Sequence, residues 1–121
     1  MLSGFSRSLM GYSAFKSDSA FKQKTADTLY SLCDFFQAKY ENKGDDFFAE
    51  ATDNYLNISM KGSQFLLSRQ LPGHQIWVSS PVSGSLKFDY DNERNDWFDH
   101  KVKDRSLKVC LTEELQTAFG C

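Results

Sequence analysis

The sequence predicts an α+β fold, a two-layer sandwich in which two helices cover one face of an antiparallel sheet of about six strands. Three observations point to it. An amphipathic helical stripe opens the body of the chain, a second closes it, and between them lie short alternating segments, each one turn from the next. With 121 residues and 40% apolar content, the chain has room for a single core, so all these elements must share it.

From Ser19 to Tyr40 the apolar residues Leu29, Leu32, Cys33, Phe36 and Tyr40 recur at helical spacing, with Asp18 and Ser19 as candidate caps and Asn42 to Gly44 as the stop. The other face carries Asp27, Tyr30, Asp34, Gln37 and Glu41. Asp45 to Asp53 then alternates Phe47, Ala49 and Ala51 against Asp46, Phe48 and Glu50, a short strand ended by a turn at Asp53-Asn54. Tyr55 to Met60 is a clear strand, and Lys61-Gly62-Ser63 turns it back into Gln64 to Gln70. Leu71-Pro72-Gly73 leads into the next strand, in which Ile76 and Val78 face one way and Gln75, Trp77 and Ser79 the other. After the Pro81 to Ser85 connection, Leu86, Phe88 and Tyr90 alternate with Lys87 and Asp89. A polar turn from Asp91 to Asp96 precedes a short Trp97 to His100 strand. Finally, Leu107, Cys110, Leu111, Leu115, Ala118 and Phe119 form one helical stripe behind Ser106 as N-cap. The chain holds 11 Phe and 3 Met, so aromatic packing should dominate the core.

The formal charge is −2 and the sequence pI about 5.6. Residues 1–17 carry Arg7 and Lys16 and no acid, which leaves the rest of the chain with −4. That Ser-rich, acid-free leader has the composition of an organelle transit peptide and lacks the apolar run of a secretory signal; the folded domain is expected to span residues 18–121. An acidic body lacks the basic stripe that nucleic acid requires, and no apolar run approaches the roughly 20 residues of a membrane span. Neither nucleic acid nor membrane is an expected partner. The three cysteines show no ligand spacing and fit a reducing compartment, with Cys33 and Cys110 as small hydrophobes and Cys121 as an exposed, mobile terminus.

Conventional catalytic constellations are poor. His74 and His100 stand in no nucleophile context, with His74 read as a turn residue, and the glycines sit singly at turns rather than in a phosphate loop. Two features remain. Asp27, Asp34 and Glu41 of the helix, with Asp45, Asp46, Glu50 and Asp53, offer hard oxygen ligands suited to weak, labile cation binding, or they form a solvated acidic face. Trp77 puts a large indole on the polar side of its strand, either displayed as an interaction anchor with Gln75, Ser79 and Lys87 around it or covered by another segment.

The run Arg69-Gln70-Leu71-Pro72-Gly73-His74-Gln75-Ile76-Trp77-Val78-Ser79-Ser80-Pro81, followed by Gly84, Phe88-Asp89-Tyr90 and Asp96-Trp97, resembles the frataxin family. The helix pattern from Asp27 to Phe36, and Ser106-Leu107 with Glu114-Leu115, are similar too, so the likeness covers about residues 20–119. The resemblance implies a small acidic protein of the mitochondrion or a related organelle, in the matrix and monomeric, that assists iron-sulfur cluster assembly. It implies docking on a cysteine desulfurase and its scaffold protein, with modulation of sulfur transfer or iron delivery. Iron would be bound weakly through carboxylates of the first helix and strand, with ferroxidase or iron-buffering activity as the alternative. By position, Gln75 and Trp77 match the family's partner-contact residues, while Lys87 stands where Arg is frequent and loses its planar fork. Lys22, Lys24, Tyr30, Gln37 and Ala38 thin the family's acidic ridge, and Ser68 and Gly73 replace amides. These departures weigh against iron storage and leave the Trp77 strand intact.

Overall fold

In the computed structural model, which describes residues 13–121, the first helical stripe becomes α1 (Asp18–Tyr40). Its buried side chains are Phe21, Thr25, Leu29, Leu32, Cys33, Phe36 and Tyr40, the expected stripe extended two turns towards the N-terminus. The cap differs from expectation. Ser17 is the N-cap: its backbone is extended and its side chain accepts from the Ala20 amide, whereas Asp18 and Ser19 already lie inside the helix. A hydroxyl one residue earlier satisfies an amide that would otherwise be orphaned.

Six strands follow: β1 (Phe48–Ala51), β2 (Tyr55–Met60), β3 (Ser63–Gln70), β4 (Gln75–Ser80), β5 (Gly84–Asp91) and β6 (Asp96–Asp99). They form one antiparallel sheet in sequence order. The β2–β3 turn has two residues rather than the three expected, because Ser63 already pairs with Met60. Lys61 and Gly62 both take positive φ, 53° and 81°, which is the type I′ geometry that matches strand twist. Helix α2 (Leu107–Phe119) is capped by the Ser106 side chain, which accepts from the Val109 amide.

Both helices supply the same core. Leu56, Ile58, Met60, Phe65, Leu67, Ile76, Val78, Phe88 and Trp97 from the sheet meet the α1 stripe and Leu107, Cys110, Leu111, Leu115 and Phe119 of α2. Phe119 meets Tyr40 and Phe65 edge-on, with centroids 5.4 and 5.9 Å apart, the arrangement that the ring quadrupoles favour. The Trp97 indole N–H donates to Thr28 Oγ1 at 2.9 Å and ties β6 to α1. Among the described residues, no helix lies on the opposite face of the sheet.

The leader reading falls mostly on residues 1–12, which lie outside the described residues. Its last part packs on the domain. The Phe15 ring lies against Phe21, His74, Tyr90 and Trp97, with centroids 5.1–5.9 Å apart, and the Ala14 carbonyl accepts from Asn92 Nδ2 at 2.7 Å. At the other end, the Cys121 carbonyl accepts from the Tyr40 hydroxyl at 3.0 Å, so this exposed residue is tethered rather than loose. The described residues include no helix long and apolar enough to cross a membrane.

Candidate docking face and surface carboxylates

Alternation along β4 sends Ile76 and Val78 into the core and Trp77 to the open face, where the residue is 39% exposed. The indole is displayed. Its cross-strand neighbours are Ser68 on β3 and Lys87 on β5, and the Lys87 ammonium lies 4.7 Å from the ring centroid. A cation over the indole face is attracted by its negative quadrupole, so Lys87 supports one side of the ring without covering it.

Hydrogen bonds fix the other side. Trp77 Nε1 donates to Gln75 Oε1 at 2.9 Å, and Gln75 Nε2 donates to Asp89 Oδ1 at 2.9 Å. The second Asp89 oxygen lies 2.6 Å from His100 Nδ1; an ionised carboxylate only accepts, so the imidazole donates there. A chain from His100 through Asp89 and Gln75 to Trp77 therefore orients an exposed aromatic group. Ser79, paired with Leu66 and Ser85, borders it.

Leu66 completes the apolar part of this face. It points away from the core between Phe65 and Leu67, is as exposed as Trp77 at 39%, and lies diagonally across the β3–β4 ladder from it. The alternation of β3 already contained this signal, since three successive apolar residues cannot all face inward in a strand with one buried side. Asp89 and His100 carried no comparable signal, because their link to Trp77 runs across two strands. Of the partner-binding candidates, Gln75, Trp77, Ser79 and Lys87 thus share one face, and Leu66, Asp89 and His100 join them.

The carboxylates are arranged differently. Asp27, Asp34 and Glu41 are exposed along α1, separated by about two turns, roughly 10 Å each, too far apart to share an ion. Asp46 accepts from the Lys61 amide at 2.8 Å, Glu50 from the Tyr55 hydroxyl at 3.3 Å, and Asp53 from the Tyr30 hydroxyl at 3.1 Å. The bond to Asp53 pushes the Tyr30 phenol above its ordinary range. Asp45 is exposed in the connection to β1. Among the described residues, no three His, Cys, Asp or Glu side chains converge into a set able to hold a metal ion. Among the described residues, the acidic surface presents single carboxylates rather than a chelating set.

Two carboxylates, Asp99 and Glu114, are buried without having been read as such in the sequence. Glu114 is 4% exposed and accepts from Ser80 Oγ at 2.5 Å, from Ser83 Oγ, and from Arg105 at 3.4 Å. It fastens α2 to the β4–β5 turn behind the Trp77 strand. The signal was its position: residue 114 falls within the stripe of Leu107, Cys110, Leu111 and Ala118, where a charge needs partners.

The fold and the sequence have relatives. The model of the frataxin-like domain matches residues 14–121. The frataxin homolog, mitochondrial, of Drosophila melanogaster is 33% identical over 103 residues, covering 78% of this chain and 53% of the relative. The iron-sulfur cluster assembly protein CyaY of Pseudomonas fluorescens is 33% identical over 98 residues, covering 74% of this chain and 88% of the relative. Trimeric frataxin from Saccharomyces cerevisiae superposes with a TM-score of 0.68 at 26% identity, covering 81% of this chain and 80% of that one. The chain spans about half or less of the mitochondrial relatives first matched, 53% of the Drosophila protein and 29% of the Arabidopsis thaliana one. A family match over nearly all the described residues, joined to the same helix, six-strand sheet and helix, places the chain in the frataxin family.

Proposed function

We propose that this protein assists iron-sulfur cluster assembly in the mitochondrial matrix, docking as a monomer through the open face around Trp77 on a cysteine desulfurase and its scaffold protein. The observation that carries this reading is the indole itself, exposed yet held by Gln75 on one side and flanked by Lys87 on the other. A large side chain ordered before binding loses little conformational freedom when a partner covers it, and Trp is enriched among residues that dominate binding energy. The names of the relatives support the process and the compartment: CyaY of P. fluorescens is called an iron-sulfur cluster assembly protein, and the Drosophila homolog is called mitochondrial. The Ser-rich, acid-free composition of residues 1–12, with Arg7, supports import.

In this role the chain performs no covalent chemistry. The Trp77 surface holds the partner and favours the arrangement in which sulfur passes to the scaffold, so the effect is a shift of populations set by differential binding. Iron is cargo, met by Asp27, Asp34, Glu41, Asp45, Asp46, Glu50 and Asp53 as separate, exchangeable contacts. Ferroxidase turnover calls for carboxylates gathered around one iron, and no described feature favours it over docking.

The test is Trp77→Ala, assayed for folding by circular dichroism and for stimulation of desulfurase activity on the scaffold complex. The side chain is outside the core, so the fold should persist. Affinity should fall by about 30-fold or more, the effect of losing a hot spot worth about 2 kcal/mol, and stimulation should go with it. Unchanged stimulation would overturn the proposal.

A further inference from the structure

On the helix side of the sheet, away from Trp77, the start of α1 and the end of β3 enclose an open groove of about 370 Å³ lined by Ser19, Lys22, Gln23, Ala26, Asp53 and Arg69. Arg69 follows Phe65 and Leu67 on the core-facing side of β3, at the point where the core gives out. Its residue is half-buried, yet among the described residues its guanidinium has no ion-pair partner within 4.0 Å and no hydrogen bond. Lys22 stands beside it on α1, equally without a partner carboxylate.

We propose that this groove binds a small oxyanion of the phosphate or polycarboxylate class. The guanidinium presents a planar fork that matches two oxygens of such a group, and the ammonium adds a point charge. Ser19 contributes a hydroxyl and lies in the first turn of a 23-residue helix. There the Ala20 and Phe21 amides are already taken by Ser17, while the positive end of the helix still favours an anion.

Three carboxylates border this charge, and each is hydrogen-bonded, Asp27 accepting from Gln23 Nε2 at 3.0 Å. Asp53 accepts from the Tyr30 hydroxyl, and Asp18, at the helix start, lies 2.8 Å from His74 Nε2. The lining offers one methyl group, that of Ala26, so an apolar ligand would gain little. A small multi-oxygen anion satisfies the free donors best. The site is independent of the Trp77 face and stands whether or not that face docks a partner.

Amide chemical shifts of the full chain, titrated with inorganic phosphate and separately with citrate at constant ionic strength set by chloride, test this. Saturable shifts confined to Ser19, Lys22, Gln23, Asp53 and Arg69 are expected with at least one of them, and the one that saturates identifies the source. Lys22→Gln, at an exposed helical position that does not threaten folding, should weaken binding by about tenfold, the effect of losing one charged hydrogen bond. Arg69→Gln should do the same, and Trp77→Ala should leave it unchanged. No saturable shift with either anion, equal shifts in chloride alone, or binding retained in the Lys22→Gln/Arg69→Gln double variant would each overturn the proposal.

Discussion

Glu114 is accommodated at 4% exposure because donors on three residues surround it, Ser80, Ser83 and Arg105. Removing the carboxylate by Glu114→Ala leaves Arg105 and two hydroxyls facing a cavity, and breaking a buried charged pair costs about 3–5 kcal/mol. Arg105 is partly solvated, so the loss should lie near 3 kcal/mol, read as a lowered urea midpoint with unchanged slope; a loss below about 1 kcal/mol would mean that the network is ornamental. Cys110 makes the opposite electrostatic statement, since burial pushes its thiol up to about 12. The folded state therefore holds a proton that an unfolded thiol releases near about pH 8.5. The associated stability is present below that pH and is lost as pH rises towards the folded value. Between about pH 7 and about pH 10 the wild type should lose about 2 kcal/mol more than Cys110→Ala, measured by urea denaturation. Equal losses would count against a protonated, buried thiol.

At the scale of elements, the segment before α1 is part of the fold. Ser17 caps the helix, and Phe15 wedges against Phe21, His74, Tyr90 and Trp97. His74 holds the segment from the other side: its ring stacks on Phe21 with centroids 4.6 Å apart, and its Nδ1 lies 2.5 Å from Ser13 Oγ. A chain starting at Asp18 should be less stable than one starting at Ser13 by roughly 2 kcal/mol, combining about 1 for the cap with about 1 for a half-buried aromatic side chain. Equal thermal midpoints for the two chains would refute the wedge. The periodicities of α1, α2 and the six strands were legible because each element has one dry side, and a dry side repeats at the period of its backbone. Phe15 was not. It contributes a single ring from a segment with no period, and its packing depends on Tyr90 and Trp97, far along the chain. The same reasoning separates the two halves of the candidate site. Gln75, Trp77 and Ser79 were visible as one side of a strand, and Lys87 with them, whereas Asp89 and His100 join through pairings that only the register of β4, β5 and β6 establishes.

At the scale of the whole molecule, every strand pairs with its neighbours in sequence, and both helices pack on one side of the sheet. The stabilising apolar contacts are concentrated in that one layer, while the proposed recognition residues lie outside it. A Leu66→Ala/Trp77→Ala double variant should therefore keep most of its stability, with a loss within about 1 kcal/mol as for surface substitutions, while a Leu66→Ala single variant should bind the proposed desulfurase–scaffold partner more weakly than the wild type. A thermal midpoint collapsing in the double variant would show that the open face helps hold the fold together.

Among the described residues the fold has two layers rather than three, and this shapes how such a protein can diverge. Residues on a bare sheet face can be exchanged one at a time without repacking an interior, so lineages can retune which surface they recognise while the hidden scaffold stays still. The backbone supplies a fixed stage, and selection acting on Leu66, Ser68, Gln75, Ser79 and Lys87 is free to recast the players.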